Sequence, residues 1–137
     1  MKDSLRPGLS LVRRLVVDRE RTIGFMGEEG RVYATPALLR DVEHACRDLI
    51  LQHADPGEDS VGMEVAVKHL EPTQPDIEVE ITVPVTAVDR RKITFDVAVK
   101  DEFDPISSGS HTRFVVEVAK TLERLKAKAA KWAAARG

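Results

Sequence analysis

A single cysteine, Cys46, leaves no possibility of an intramolecular disulfide and excludes a cysteine-only zinc site. No two histidines stand in HxH or HExxH spacing, so no metal site is expected. The opening MKDSLRPG has no apolar signal core, and no apolar run approaches the roughly 18 residues that cross a bilayer. These absences lead to the expectation of a cytoplasmic protein with no membrane partner. Aromatics are scarce, at 4%, and 21 Lys+Arg against 23 Asp+Glu leave a formal charge of −2, so a surface built for nucleic acid is not expected either. Gly24, Gly27 and Gly30 (GFMGEEG) are followed by neither a strand-glycine-helix unit nor Gly-Lys-Ser/Thr, which excludes the common nucleotide fingerprints. Ser107-Ser108-Gly109-Ser110-His111 lacks the glycine-flanked serine of a nucleophile elbow and reads instead as strand with a glycine bulge.

What the chain does have is apolar periodicity. With 137 residues, 42% of them hydrophobic, one domain over 1–137 with a core of its own is expected. Leu9 to Val17 reads as a strand and Asp18 to Gly30 as irregular chain. TPALLRDVEHACRDLILQH, from Thr35 to His53, reads as a helix about 28 Å long, with Thr35 as N-cap and Pro36 at the tolerated first position. On a 100° wheel its apolar side chains fill one arc from Ala45 round to Ile50, opposite Arg40, His44, Arg47 and Asp48. Beyond the turn cluster ADPGED the period changes to two. Val61, Met63, Val65 and Val67 alternate, then Ile77 to Val85, then Ile93 to Val99, with a last strand through Phe114 and Val116. Ala119 to Gly137 forms a second helix with Leu122, Leu125, Ala129 and Trp132 on one stripe. Lys120, Arg124, Lys126, Lys128, Lys131 and Arg136 make that tail either a solvated face or a surface for the phosphates of a nucleotide-bearing cofactor. The class is α+β, a curved antiparallel sheet wrapped around the long helix.

Three side chains stand out, each with a structural and a chemical reading. Thr35 is a helix cap or a functional hydroxyl. Glu43, two turns further on, lies on the shoulder of the apolar arc. There it either snorkels to water or sits partly desolvated, as a general base does. His69 falls on the apolar side of its strand just before Glu71-Pro72, as a core histidine or as one reaching a cleft. Cys46, mid-arc, reads as an inert buried thiol.

Together these residues carry a resemblance. Val32-Tyr33-Ala34-Thr35, Glu43-His44-Ala45-Cys46, Asp55-Pro56-Gly57-Glu58, Ser60-Val61-Gly62, His69 seven residues later, and Ser108-Gly109-Ser110-His111-Thr112-Arg113 resemble the fluoroacetyl-CoA thioesterase group of the hotdog-fold superfamily, over roughly Val32 to Val116. The resemblance implies a hotdog fold, a homodimer, an acyl-CoA thioester as substrate near the subunit interface, and no cofactor beyond the CoA of that substrate. It implies Thr35, Glu43 and His69 as the catalytic set, with Gly62 and Arg113 binding substrate. Glu43 then attacks the thioester carbonyl or activates water, Thr35 orients it, the Gly62 amide holds the oxyanion and His69 serves the leaving sulfur. Glu29, in Gly27-Glu28-Glu29-Gly30-Arg31, stands where the family carries an aromatic lid residue. The resemblance therefore supports hydrolysis of a small acyl-CoA more than selectivity for a fluorinated acyl group. An acyl-CoA-binding domain without turnover, an enoyl-CoA hydratase-like enzyme and a scaffold subunit are the alternatives.

Overall fold

A helix with one broad apolar face needs a surface to cover it, and long alternating strands supply one. The structure, a computed structural model, describes residues 1–137. Five strands, β1 (Ser10–Val16), β4 (Glu58–His69), β5 (Glu78–Asp89), β6 (Lys92–Lys100) and β7 (Pro105–Glu117), hydrogen-bond in the order β1-β5-β6-β7-β4, every neighbouring pair antiparallel. Two-residue strands β2 (Thr22–Ile23) and β3 (Val32–Tyr33) pair with each other ahead of the long helix α1 (Thr35–Leu51), and α2 (Val118–Arg136) follows β7. The expected α+β arrangement is present.

α1 buries Leu38, Val42, Ala45, Cys46, Leu49 and Ile50, the arc read on the helical wheel. Ile81 and Val83 of β5, Ile93, Phe95 and Val97 of β6 and Val115 of β7 join them in one apolar cluster. Asp41 is buried as well, on the shoulder of the arc opposite Glu43. Its carboxylate accepts from Tyr33 Oη and from Arg21 Nε at 2.9 Å and Nη2 at 3.2 Å. That network fastens the β2–β3 segment to the helix.

Three local readings are corrected, at Thr35, at Gly109 and along β4, and two faces that the sequence left open, those of β7 and α2, are fixed. Ala34, in extended conformation, occupies the N-cap position and gives no side-chain cap, so Thr35 is already helical and its hydroxyl is free for another partner. The bulge placed at Gly109 lies instead in β4, between Gly62 and Glu64. The extra residue interrupts the alternation of β4, and as an edge strand β4 leaves Val61, Met63 and Val65 exposed rather than buried. In β7 the inward residues are His111, Arg113 and Val115, while Phe114 is exposed. α2 buries no residue, so Leu122, Leu125 and Trp132 are all exposed.

Candidate active site

The first turn of α1 lies beside the end of β4. Thr35 Oγ1 is 2.8 Å from His69 Nδ1, and Tyr33, in the strand just before the helix, meets the imidazole edge-on at 6.4 Å between ring centroids. His69 Nε2 is buried and has no hydrogen-bond partner. A cavity of about 520 Å³ opens at this pair, lined by Ile23, Phe25, Val32, Pro36, Leu70 and Pro72 among others, with Glu71 its one charged side chain. The aromatic at its mouth is Phe25, 88% exposed, which sequence reasoning did not single out. Glu28 in the same segment is held at about 2, well below the usual carboxylate range, by hydrogen bonds from Arg19 and then Arg31. Glu28 thus belongs to a surface ion-pair cluster with Arg19 and Arg31.

Two helical turns along α1, Glu43 faces the bulge of β4. Its side chain is half exposed, at 51%, and Arg113 Nη1 lies 3.7 Å from Oε2. A Cβ built on residue 62 would stand 3.0 Å from that same Oε2 and 3.4 Å from His111 Cε1, so the absence of a side chain at Gly62 is what lets the carboxylate lie against the strand. Arg113 is buried beneath. Its Nε donates to Ser60 Oγ at 2.8 Å, its Nη2 to the Ser60 carbonyl at 2.8 Å, and its Nη1 lies 3.2 Å from His111 Nε2. Burial lowers the Arg113 pKa, and the Glu43 charge acts against that shift. The cation is fixed directly behind a solvent-reaching carboxylate.

All five residues singled out from the sequence therefore fall on the α1 and β4–β7 side of the sheet, in two groups. Thr35 and His69 form one; Glu43, Gly62 and Arg113 form the other. Eight residues of helix separate Thr35 from Glu43, about 12 Å along the axis. Sequence reasoning missed His111 and Ser60, which hold Arg113. The available signal was parity: β7 alternates, so His111 and Arg113 had to share the face of Val115. Cys46 is buried with its thiol pushed up to about 12 by desolvation, the inert state expected.

Burial lowers the pKa of His69, and burial likewise lowers that of His111 against the opposing effect of its bond to the Glu64 carbonyl. Both rings bind protons more readily in the unfolded chain. Stability is therefore fully present above the unfolded value near 6.5 and is lost as pH falls through it toward the folded values. The melting temperature should decline from about pH 7.5 to about pH 5.5, before the carboxylates titrate, and more shallowly in His69→Asn. Equal slopes in the two proteins would remove His69 from this linkage.

With the geometry in place, the comparisons are direct. A family model described as fluoroacetyl-CoA-specific thioesterase matches residues 17–119, well over half of the chain. The chain belongs to that family. Within the fluoroacetyl-CoA-specific thioesterase family it is 29% identical over 135 residues to the fluoroacetyl-CoA thioesterase of Streptantibioticus cattleyicolor, covering 93% of this chain and 97% of that protein. A solved structure of a fluoroacetyl-CoA thioesterase superposes with a TM-score of 0.84 at 28% identity, covering 92% of this chain and 98% of the other. A hot-dog-like protein from Thermanaerovibrio acidaminovorans, 20% identical, superposes with a TM-score of 0.82 over 89% of this chain and 91% of its own. The fold is accordingly the hotdog fold, as the sequence resemblance implied.

Proposed function

We propose that the protein hydrolyses an uncharged acyl-CoA thioester to the free acid and CoA, with Glu43 as the reacting carboxylate. The observation that carries this reading is the placement of Glu43, half exposed against the side-chain-free backbone of Gly62 with the buried Arg113 guanidinium 3.7 Å behind it. Water delivered to the thioester carbonyl gives its proton to Glu43, or Glu43 itself adds to the carbonyl and water then cleaves the anhydride. In either route the C–S bond breaks and CoA leaves as a thiolate, a good leaving group that takes up a proton. The Gly62 amide serves the oxyanion and Arg113 orients the carboxylate on the substrate side. With the Thr35 hydroxyl donating to Nδ1, His69 carries its proton on the unpartnered Nε2, where it can meet the sulfur or the carbonyl oxygen.

A homodimer completes this reading. β4 is an edge strand with Val61, Met63 and Val65 exposed, the unpaired edge that a second copy can cover. If two β4 strands pair antiparallel in the register centred on Val65–Ala66, one copy's His69 stands across from the other's Gly62. The two half-sites, about 12 Å apart on one helix, then meet across the interface. The cavity at Thr35 and His69 is apolar, and no Lys or Arg lines it, so acyl groups without a second carboxylate are favoured. Phe25, with glutamates where the family lid is aromatic, gives no basis for a fluoroacetyl preference. Since CoA esters are intracellular metabolites, the cytoplasmic location is retained; no helix is long and apolar enough to cross a membrane.

The test is thiol release from acetyl-, fluoroacetyl-, hexanoyl-, phenylacetyl- and malonyl-CoA. Hydrolysis of the uncharged esters at least about tenfold faster than malonyl-CoA, about 1.4 kcal/mol in the barrier, is the expected result. Thermal stabilisation by CoA esters without any thiol release would instead support a binding domain. Loss of enoyl absorbance without thiol release would point to hydration.

A further inference from the structure

We infer that His111 is a positioning residue for the reacting carboxylate, acting through Arg113; the inference rests on the thioesterase reading above. His111 is 2% exposed, and both its ring nitrogens are engaged. Nδ1 lies 2.9 Å from the Glu64 carbonyl and Nε2 lies 3.2 Å from Arg113 Nη1. A carbonyl and a guanidinium determine the proton inventory between them. The carbonyl only accepts, so Nδ1 carries the hydrogen; the guanidinium only donates, so Nε2 must present its lone pair. A neutral imidazole of one tautomer satisfies both neighbours, and a protonated ring would turn an N–H against the buried cation.

The geometry has a functional consequence. Arg113 Nη1 is the atom that lies 3.7 Å from Glu43 Oε2, and it is also the atom His111 holds. Ser60 fixes the other side of the guanidinium through Nε and Nη2. Because the guanidinium is rigid and planar, His111 supplies the third hydrogen bond that stops it pivoting about its two Ser60 bonds; without the ring only the 3.7 Å contact with Glu43 restrains Nη1. The Glu64 carbonyl that takes the opposite nitrogen belongs to the residue that resumes the β4–β7 register just after the Gly62 bulge. His111 thus ties the bulge carrying the proposed oxyanion donor to the cation behind the carboxylate, two parts of the site that must keep one spacing. Arg113 also feels Arg47 and Cys46 of α1 and Asp59 of β4, but none of these bonds to its guanidinium. A glutamine at 111 can repeat both contacts, donating from its amide nitrogen and accepting on its oxygen; leucine fills the space and makes neither.

The experiment compares wild type, His111→Leu, His111→Gln and Glu43→Gln on the best ester of the panel. In His111→Leu, kcat should fall about tenfold or more with KM changed less than about twofold, and His111→Gln should recover at least about a third of the wild-type kcat. A purely space-filling role predicts the reverse order, since leucine is the better apolar filler, and that order would overturn the inference. ¹⁵N spectra of the wild-type imidazole provide a second readout that does not depend on the folding of the leucine variant. They should show a protonated Nδ1 and a bare Nε2 at neutral pH, and the opposite tautomer or an imidazolium would overturn it. Full activity in Glu43→Gln would overturn the assignment of Glu43, and the positioning role with it, whatever the spectra show; an inactive Glu43→Gln with a fully active His111→Leu would overturn the positioning role alone.

Discussion

Replacing Glu43 by glutamine should lower kcat on the preferred acyl-CoA by at least about 10²-fold, within the range that a positioned acid/base or nucleophilic group contributes. The substitution is close to isosteric. The amide oxygen can still face Arg113 Nη1, and half of the side chain is already exposed to water, so folding should be disturbed far less than turnover. KM should move less than kcat, because the carboxylate is needed in the transition state more than for ground-state binding of CoA. Steady-state kinetics with thermal melts as the folding control make the measurement. A variant within about threefold of wild type would show that the carboxylate does not take part in the rate-limiting chemistry. Single turnover in ¹⁸O-labelled water, followed by mass spectrometry of the Glu43 peptide, together with trapping of an acyl-enzyme, separates the two routes: label in the carboxylate or a trapped adduct marks direct attack, and failure of both marks an activated water.

The largest effect on stability is expected far from any reacting atom, at Gly109. An added Cβ would stand 2.1 Å from the Ala66 carbonyl oxygen and 2.6 Å from Val67 Cα, both backbone atoms of β4 that no rotamer change can move. Gly109 pairs with Val67 on one side and with Val97 on the other, so relief requires parting β7 from a neighbour. Overpacking of this kind costs about 1–3 kcal/mol where side chains can yield, and more where only backbone is available. Gly109→Ala should therefore lose at least about 3 kcal/mol in urea unfolding, with β4 the first element to become protease-sensitive. Gly8→Ala is the control: φ is +98° there but nothing lies within 4 Å of the new atom, so only the backbone preference, about 1 kcal/mol, is at stake. Equal losses in the two variants would mean that strand proximity at Gly109 is not the determinant. The same comparison bears on Gly62, where the atom met by a Cβ is the movable Glu43 carboxylate rather than backbone, so substitution there should reach activity before stability.

Much of the architecture was legible in the sequence because it follows from period alone. Leu38, Val42, Ala45, Cys46, Leu49 and Ile50 recur at helical spacing and all are buried; Ile81, Val83, Ile93, Phe95 and Val97 recur at strand spacing and are buried too. Glu43 on the shoulder of the helical arc and His69 near the end of a strand were marked by position before any resemblance was considered. Both prove to border buried ground, Glu43 against Arg113 and His69 against Thr35. The spacings Thr35 to Glu43 and Gly62 to His69 then carried the family resemblance, which the match over residues 17–119 bears out.

What tertiary structure alone decided are the places where one residue changes which way a chain faces. A strand's period of two stores a single choice of face, so the bulge between Gly62 and Glu64 interrupts that choice for half of β4 and leaves no trace in composition. In β7 the same choice sends His111 and Arg113 inward and Phe114 outward, against the usual preference of both types for the other side. Local hydrophobicity could not anticipate that, because the stabilising partners, Ser60, Glu64 and Glu43, come from β4 and α1 and are brought within reach only when the sheet closes on the helix. Asp41 is buried for the same reason, with Arg21 arriving from a segment that looked irregular and Tyr33 from the short strand ahead of α1. The sequence by itself determined which elements form and which helix face meets the sheet, since those depend on neighbours three, four or two residues away. The polar network behind Glu43 depends on neighbours 53 residues apart, Ser60 and Arg113, and further, and a buried charge becomes tolerable only once such partners are assembled around it.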